Sequence, residues 1–220
     1  MNSVTDVVAA ARQQIAGQAG PNGFVDALEH GRVPKERLGW LAGELHHLVS
    51  SDRRSFALLA SRFPSAPAGD LYLAMAEGEA QALRLLMEFA AALNLEERDV
   101  RAYEPQPLAQ AYPAYLTQSA LYGASSDVAL ALLANVRESG ATYTRVAEAL
   151  ASQYGFEERA LGHFLFFADT PQTLLDQATA TLEEGLAGGD DPAAAVRCAR
   201  TVHALEEAFW SCLARGLDDG

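Results

Sequence analysis

An all-α fold, a single compact multi-helix bundle, is the fold class this 220-residue chain predicts. Two observations carry the all-α part. Apolar residues recur at three- and four-residue intervals along almost the whole chain. No segment shows sustained period-2 alternation of β-branched residues, so no strand is assigned.

The elements follow in order. Residues 3–18 form an Ala-rich amphipathic pattern. Phe24–His30 reads as a short helical stretch ended by Gly31. Pro34 suits the first position of a long helix running to about Phe63, where Pro64 follows. A second long helix spans roughly 69–95, with Leu71, Met75, Ala82, Leu85, Leu86, Phe89 and Leu93 at helical spacing. Glu104-Pro105-Gln106-Pro107 is a loop. Pro113 fits the first turn of a helix reaching Tyr122, and Ser125-Ser126-Asp127 caps one that ends at Tyr154-Gly155. Helices near 157–168, 171–187 and 192–216 complete the chain, the last two opened by Thr170-Pro171 and Asp191-Pro192. Short connections favour antiparallel packing of neighbours in one domain over residues 1–220, and no repeat or Gly/Ser linker divides it.

Composition narrows the function classes. Half of the chain is hydrophobic and 20% is charged, an ordinary globular balance. A net charge of −13, from 16 basic and 29 acidic residues, opposes nucleic-acid binding. The arginines are dispersed and Lys35 is the sole lysine, whereas DNA binding needs a concentrated basic face. No apolar run reaches the ~18 residues of a membrane span. The opening residues show no basic region followed by an apolar core, so a cytoplasmic location is expected. Cys198 and Cys212 stand fourteen residues apart in one helical segment. That separation is about 21 Å along a helix axis, too far for a disulfide, so reduced and buried thiols are expected.

Polar residues on apolar stripes mark the candidate site. In the last helix Val202, Leu205, Phe209 and Leu213 form a stripe, and Glu206 lies within or beside it. A carboxylate among aromatics loses hydration and must find a partner, raise its pKa or line a polar cavity. In the 127–154 helix the stripe runs Val128, Leu132, Asn135, Ser139, Tyr143, Val146, Leu150, polar in the middle and apolar at both ends. A helix lining a polar cavity has this pattern, and so has one carrying an internal hydrogen-bond network. In the first long helix Asp52 falls on the stripe of Leu38, Leu41, Leu45, Leu48, Phe56 and Leu59. Trp40, Glu44, His47 and Ser51 form the adjoining face.

Three stretches resemble the TenA/thiaminase-2 family, whose wider superfamily includes PqqC and shares the haem-oxygenase-like fold. The run from Phe24 to Leu38 is similar to the family's opening of a short helix, a glycine and a proline-led long helix. Tyr112–Leu116 is similar to its Ala-Tyr-x-x-Tyr-Leu, and Glu206-Glu207-Ala208-Phe209-Trp210 matches its Glu-x-x-Phe-Trp. The resemblance spans about residues 22–214. It implies an interhelical pocket for a small, often heterocyclic, molecule, with Glu206 in proton transfer and Tyr112 as a pocket aromatic. It also implies a homo-oligomer, a dimer or a tetramer.

Two departures bear on chemistry. The family's Leu-Leu-Pro-Cys corresponds to Leu132-Leu133-Ala134-Asn135, and an asparagine cannot form the covalent intermediate that a cysteine supports. The family's Gln-Asp pair falls, without gaps, on Glu44-Leu45. Cysteine-dependent thiaminase chemistry is therefore not expected. The main reading is a small-molecule site with Glu206 as catalytic acid/base and Asn135, Tyr112, Tyr143, Glu44, Asp52 and Ser139 as ligand-binding residues, requiring no cofactor. An alternative is a haem-oxygenase-like iron or di-iron oxidase. Glu44-x-x-His47 has the spacing of a carboxylate-bridged metal helix, and His203 and Glu207, one turn apart, complete the candidate ligands. Glu77 or Glu79 and His163 are further candidates. A third reading is a non-catalytic ligand-binding or regulatory module, without a basic recognition helix. Nucleic acid and membrane are not expected partners in any of the three.

Overall fold

The computed structural model describes residues 3–17 and 20–217, and every residue run expected to be helical there is helical. The helices are α1 (Val4–Ala16), α2 (Gly23–Glu29), α3 (Lys35–Arg62), α4 (Ala68–Ala92), α5 (Glu97–Ala102), α6 (Ala111–Tyr122), α7 (Ser125–Tyr154), α8 (Glu158–Ala168), α9 (Gln172–Gly188) and α10 (Pro192–Ala214). Among the described residues there is no strand. No described helix is long and apolar enough to cross a membrane.

Their ends follow from capping chemistry. The Ser3 hydroxyl accepts from the Asp6 N–H while the Asp6 carboxylate accepts from the Ser3 N–H, closing the first turn of α1. Asn22 Oδ1 accepts from the Val25 N–H at the start of α2. Asp191 does the same for Ala193 ahead of α10, whose first residue is Pro192. Gly155, at φ +71°, ends α7 in the left-handed conformation that costs glycine little. Pro34 sits one residue outside α3, as its cap.

One helix was not expected. α5 is short and strongly charged, and only Val100 is buried in it, so it has no apolar stripe to betray it. The two cysteines are free and buried, as expected.

Four long helices, α3, α4, α7 and α10, each contribute to two separate apolar cores. The first core gathers Phe56 and Leu59 of α3, Leu71 and Tyr72 of α4, Val128 to Ala134 of α7 and Ala195 to Val202 of α10. The second gathers Leu38 to Leu45 of α3, Leu86 and Phe89 of α4, Tyr143 to Leu150 of α7 and Phe209 to Leu213 of α10. α3 therefore runs from the second core to the first, while α4, α7 and α10 run the other way. Between the cores each of the four helices carries a polar side chain: Asp52, Glu79, Asn135 with Ser139, and Glu206. The apolar stripes are interrupted at a common level, the waist of the molecule.

Candidate functional site

A cavity of about 160 Å³ occupies that waist. Asp52 from α3, Glu79 from α4, Tyr112 from α6, Asn135, Ser139 and Tyr143 from α7, and Glu206 from α10 all line it. Aromatic and apolar walls come from Phe56, Met75, Phe167, Phe209 and Trp210. Close packing at Gly140 brings the end of α8 against α7. A Cβ there would sit 2.9 Å from the Ala168 carbonyl oxygen, so only glycine lets α8 deliver Phe167 and Thr170 to the cavity.

The electrostatics are one-sided. Among the lining residues three are carboxylic and none is Lys, Arg or His. Burial pushes the Asp52 carboxyl well above the usual carboxylate range. The charge of Glu206 raises it further, and the Tyr112 hydroxyl acts back on it as a donor. Burial raises Glu79 in the same way, with the charge of Asp52 adding to it. Glu206 is raised by burial, against a pull down from its Ser139 hydrogen bond and from nearby His203; Glu138 and Glu207 push it up again. Burial, followed by the same carboxylates, raises Tyr112 and Tyr143, so both stay neutral phenols.

Glu206 stands on a shared wall. Its Oε1 accepts from the Ser139 hydroxyl at 2.8 Å. Glu206, Ser139 and Trp210 line not only the waist cavity but also a second, outer pocket of about 390 Å³. That outer pocket is bordered by Glu138, His203 and Glu207. Larger depressions exist on the surface. The one between the start of α3 and the end of α4, about 790 Å³, contains the Arg159–Glu88 ion pair at 2.7 Å.

Six of the seven residues expected at the site meet at this cavity: Glu206, Asn135, Tyr112, Tyr143, Asp52 and Ser139. Glu44 does not line it, which corrects the expectation. Its carboxylate is wholly buried and accepts from the Tyr103 hydroxyl (3.0 Å), the Gln106 N–H (2.7 Å) and Gln110 Nε2 (3.3 Å). Glu44 thereby ties the segment between α5 and α6 to α3, and its lone pairs face that segment. The four residues of the iron alternative also fail to converge. His47 Nε2 bonds the Tyr103 carbonyl, and His203 sits between Glu138 and Glu207 at the outer pocket. Among the described residues no three His, Cys, Asp or Glu come together as a metal site.

Glu79 is the lining residue that sequence reasoning missed as a cavity residue. The signal was present: Tyr72, Met75, Glu79, Ala82 and Leu86 are spaced as one helical stripe, with the carboxylate in the middle. His163 is buried in the second core's aromatic cluster, where its Nδ1 donates to the Ala82 carbonyl at 2.9 Å. Burial depresses it to about 4, so it is neutral there. Of the phenylalanines around it, Phe167 faces the cavity. No cysteine does: Cys198 lies in the first core, near the Ser119 hydroxyl.

These helices and their order define an all-α protein of haem-oxygenase-like fold. A domain of unknown function with that fold from Shewanella denitrificans superposes with a TM-score of 0.74 at 15% identity, over 94% of this chain and 88% of that one. The sequence matches the model of the TENA/THI-4/PQQC family over residues 13–210, and the chain belongs to that family. A TenA homologue from P. horikoshii is similar at TM-score 0.68 and 19% identity, covering 98% of this chain and 100% of that one. A TenA family transcription regulator from Silicibacter is similar at the same score and identity, covering 93% and 96%. No curated protein matches the chain significantly in sequence.

Proposed function

We propose that the waist cavity binds a small, flat, heterocyclic metabolite and that Glu206 is its proton-transfer residue. The observation that carries this reading is the position of Glu206. Its raised carboxyl lies on the wall of the cavity, which Trp210, Tyr112 and Tyr143 also line, and it accepts from the Ser139 hydroxyl. A carboxyl raised by burial holds its proton more readily than an exposed one, as a general acid must. Aromatic walls suit a planar ring, and Tyr112 offers a neutral hydroxyl beside it. Asn135 occupies the position of the family's cysteine and lines the cavity, so a C–N cleavage here uses water as nucleophile rather than a thiol.

The test is a mass-spectrometric turnover screen with aminopyrimidines and related heterocycles, comparing the native protein with Glu206→Gln. The variant is expected to lose about a hundredfold or more in rate on any compound that is converted. Unchanged turnover overturns the role. The absence of a thiol among the lining residues favours a second reading, a ligand-binding protein without turnover. A heterocycle that raises the melting temperature and is recovered intact supports that reading over the first.

A further inference from the structure

The α3 and α4 walls of the cavity hold chemistry that this reading leaves unused. Asp52 and Glu79 reach it from α3 and α4, two helices packed against each other and running in opposite senses. Asp52 Oδ1 and Glu79 Oε2 are buried without a hydrogen-bond partner. Asn135 Oδ1 is likewise unpartnered, and its side chain is only 5% exposed. The Asn135 amide nitrogen is already committed to the Ala131 and Ala199 carbonyls, so the oxygen alone is offered to the cavity.

All the unpartnered side-chain atoms on this lining are oxygens, and no basic side chain lines it. A ligand rich in acceptors would add to that imbalance. A neutral hydroxyl compound would bring one donor per group and no charge to favour an ionised carboxylate over a protonated one. A compact cation bearing several N–H donors satisfies the oxygens and the charge together, with two N–H bonds to one carboxylate where the group is planar.

Resting on the reading of the cavity as the ligand site, we propose that Asp52, Glu79 and Asn135 form a subsite for a cationic nitrogen group of the ligand. An amidinium, guanidinium or primary ammonium would enter it. The groups facing the two carboxyls are Tyr112, Tyr143 and Glu206, none of which supplies positive charge. Burial favours the protonated form of both carboxyls, and an arriving cation opposes that preference. Where a carboxyl carries its proton in the free protein, binding ionises that O–H and releases the proton to the buffer.

Acetamidinium and its neutral isostere acetamide, titrated separately into the full chain at millimolar concentration, test the proposal. Acetamidinium is expected to raise the melting temperature while acetamide does not. Calorimetry in buffers of different ionisation enthalpy should show proton release, with affinity rising up to about tenfold per pH unit where one proton leaves. Asp52→Asn and Glu79→Gln keep the side-chain shapes and should each weaken acetamidinium by about tenfold or more. Glu207→Gln, outside the cavity, should not. Equal binding of both compounds, indifferent to the two variants, overturns the cationic subsite and leaves the cavity as a ligand site. Binding of neither overturns the subsite, and the Glu206→Gln turnover comparison then judges the wider reading by itself.

Discussion

Glu44 and Asp52 lie two turns apart on α3, and both are buried, at 0% and 3% exposure. Their surroundings are opposite. Glu44 is met by three donors from the segment between α5 and α6. Asp52 keeps an unpartnered oxygen in the waist cavity. Gly43 shows how closely the first region is fitted, since a Cβ there would overlap Cβ and Cγ of Tyr103. Burial does not distinguish a structural carboxylate from a functional one. The supply of donors from the chain itself does: where it is complete the residue is a joint, and where it leaves an oxygen unpartnered the residue is a candidate for a site.

The largest effect should come from breaking the joint. Glu44→Ala strands three donors in partly buried positions and is expected to cost about 3 kcal/mol, or roughly 6–12 °C in melting temperature. Urea denaturation measures it, and a loss below about 1 kcal/mol would erase the contrast with Asp52. The cavity should answer the other way. Folded-state pKa values raised by burial mean that Asp52 and Glu79 support the fold fully below their unfolded pKa values, near pH 4. That support is lost as pH rises through the raised values. The Asp52→Asn/Glu79→Gln double variant should therefore exceed the native protein by about 1–2 kcal/mol at pH 8, with the advantage shrinking towards pH 4. A constant difference across that range would contradict the assignment. The smallest effect belongs to Ser139→Ala, about 1 kcal/mol of stability. Because Ser139 holds the Glu206 carboxyl down, its loss should also move the Glu206 titration upward, as seen by carbon NMR of the labelled carboxyl.

The cavity residues Asp52, Asn135, Ser139, Tyr143 and Glu206 could be read from sequence because each interrupts or borders an apolar stripe at helical spacing. Helical periodicity is a local signal, and these helices keep it. Glu79 breaks its stripe as well, but Glu77, Gly78, Ala80 and Gln81 around it read as a solvated face. Glu44 failed for a different reason. Its partners lie some sixty residues away in a loop, and no local pattern announces that a loop will fold back onto a helix. The ungapped match to the family's aspartate landed beside Glu44, whereas the carboxylate that reaches the cavity on that helix is Asp52, about 12 Å farther along the axis. The family, by contrast, was recoverable from three short motifs, on α2 with the start of α3, on α6 and on α10, because each is a contiguous local pattern.

The polar level shared by α3, α4, α7 and α10 has an energetic consequence. Leucines at Asp52, Glu79, Asn135 and Glu206 would fuse the two cores into one continuous interior, and most such replacements would be favoured on stability alone. Acidic and amide side chains standing there on all four helices hold the two cores apart, at a cost in stability that leucines would not carry.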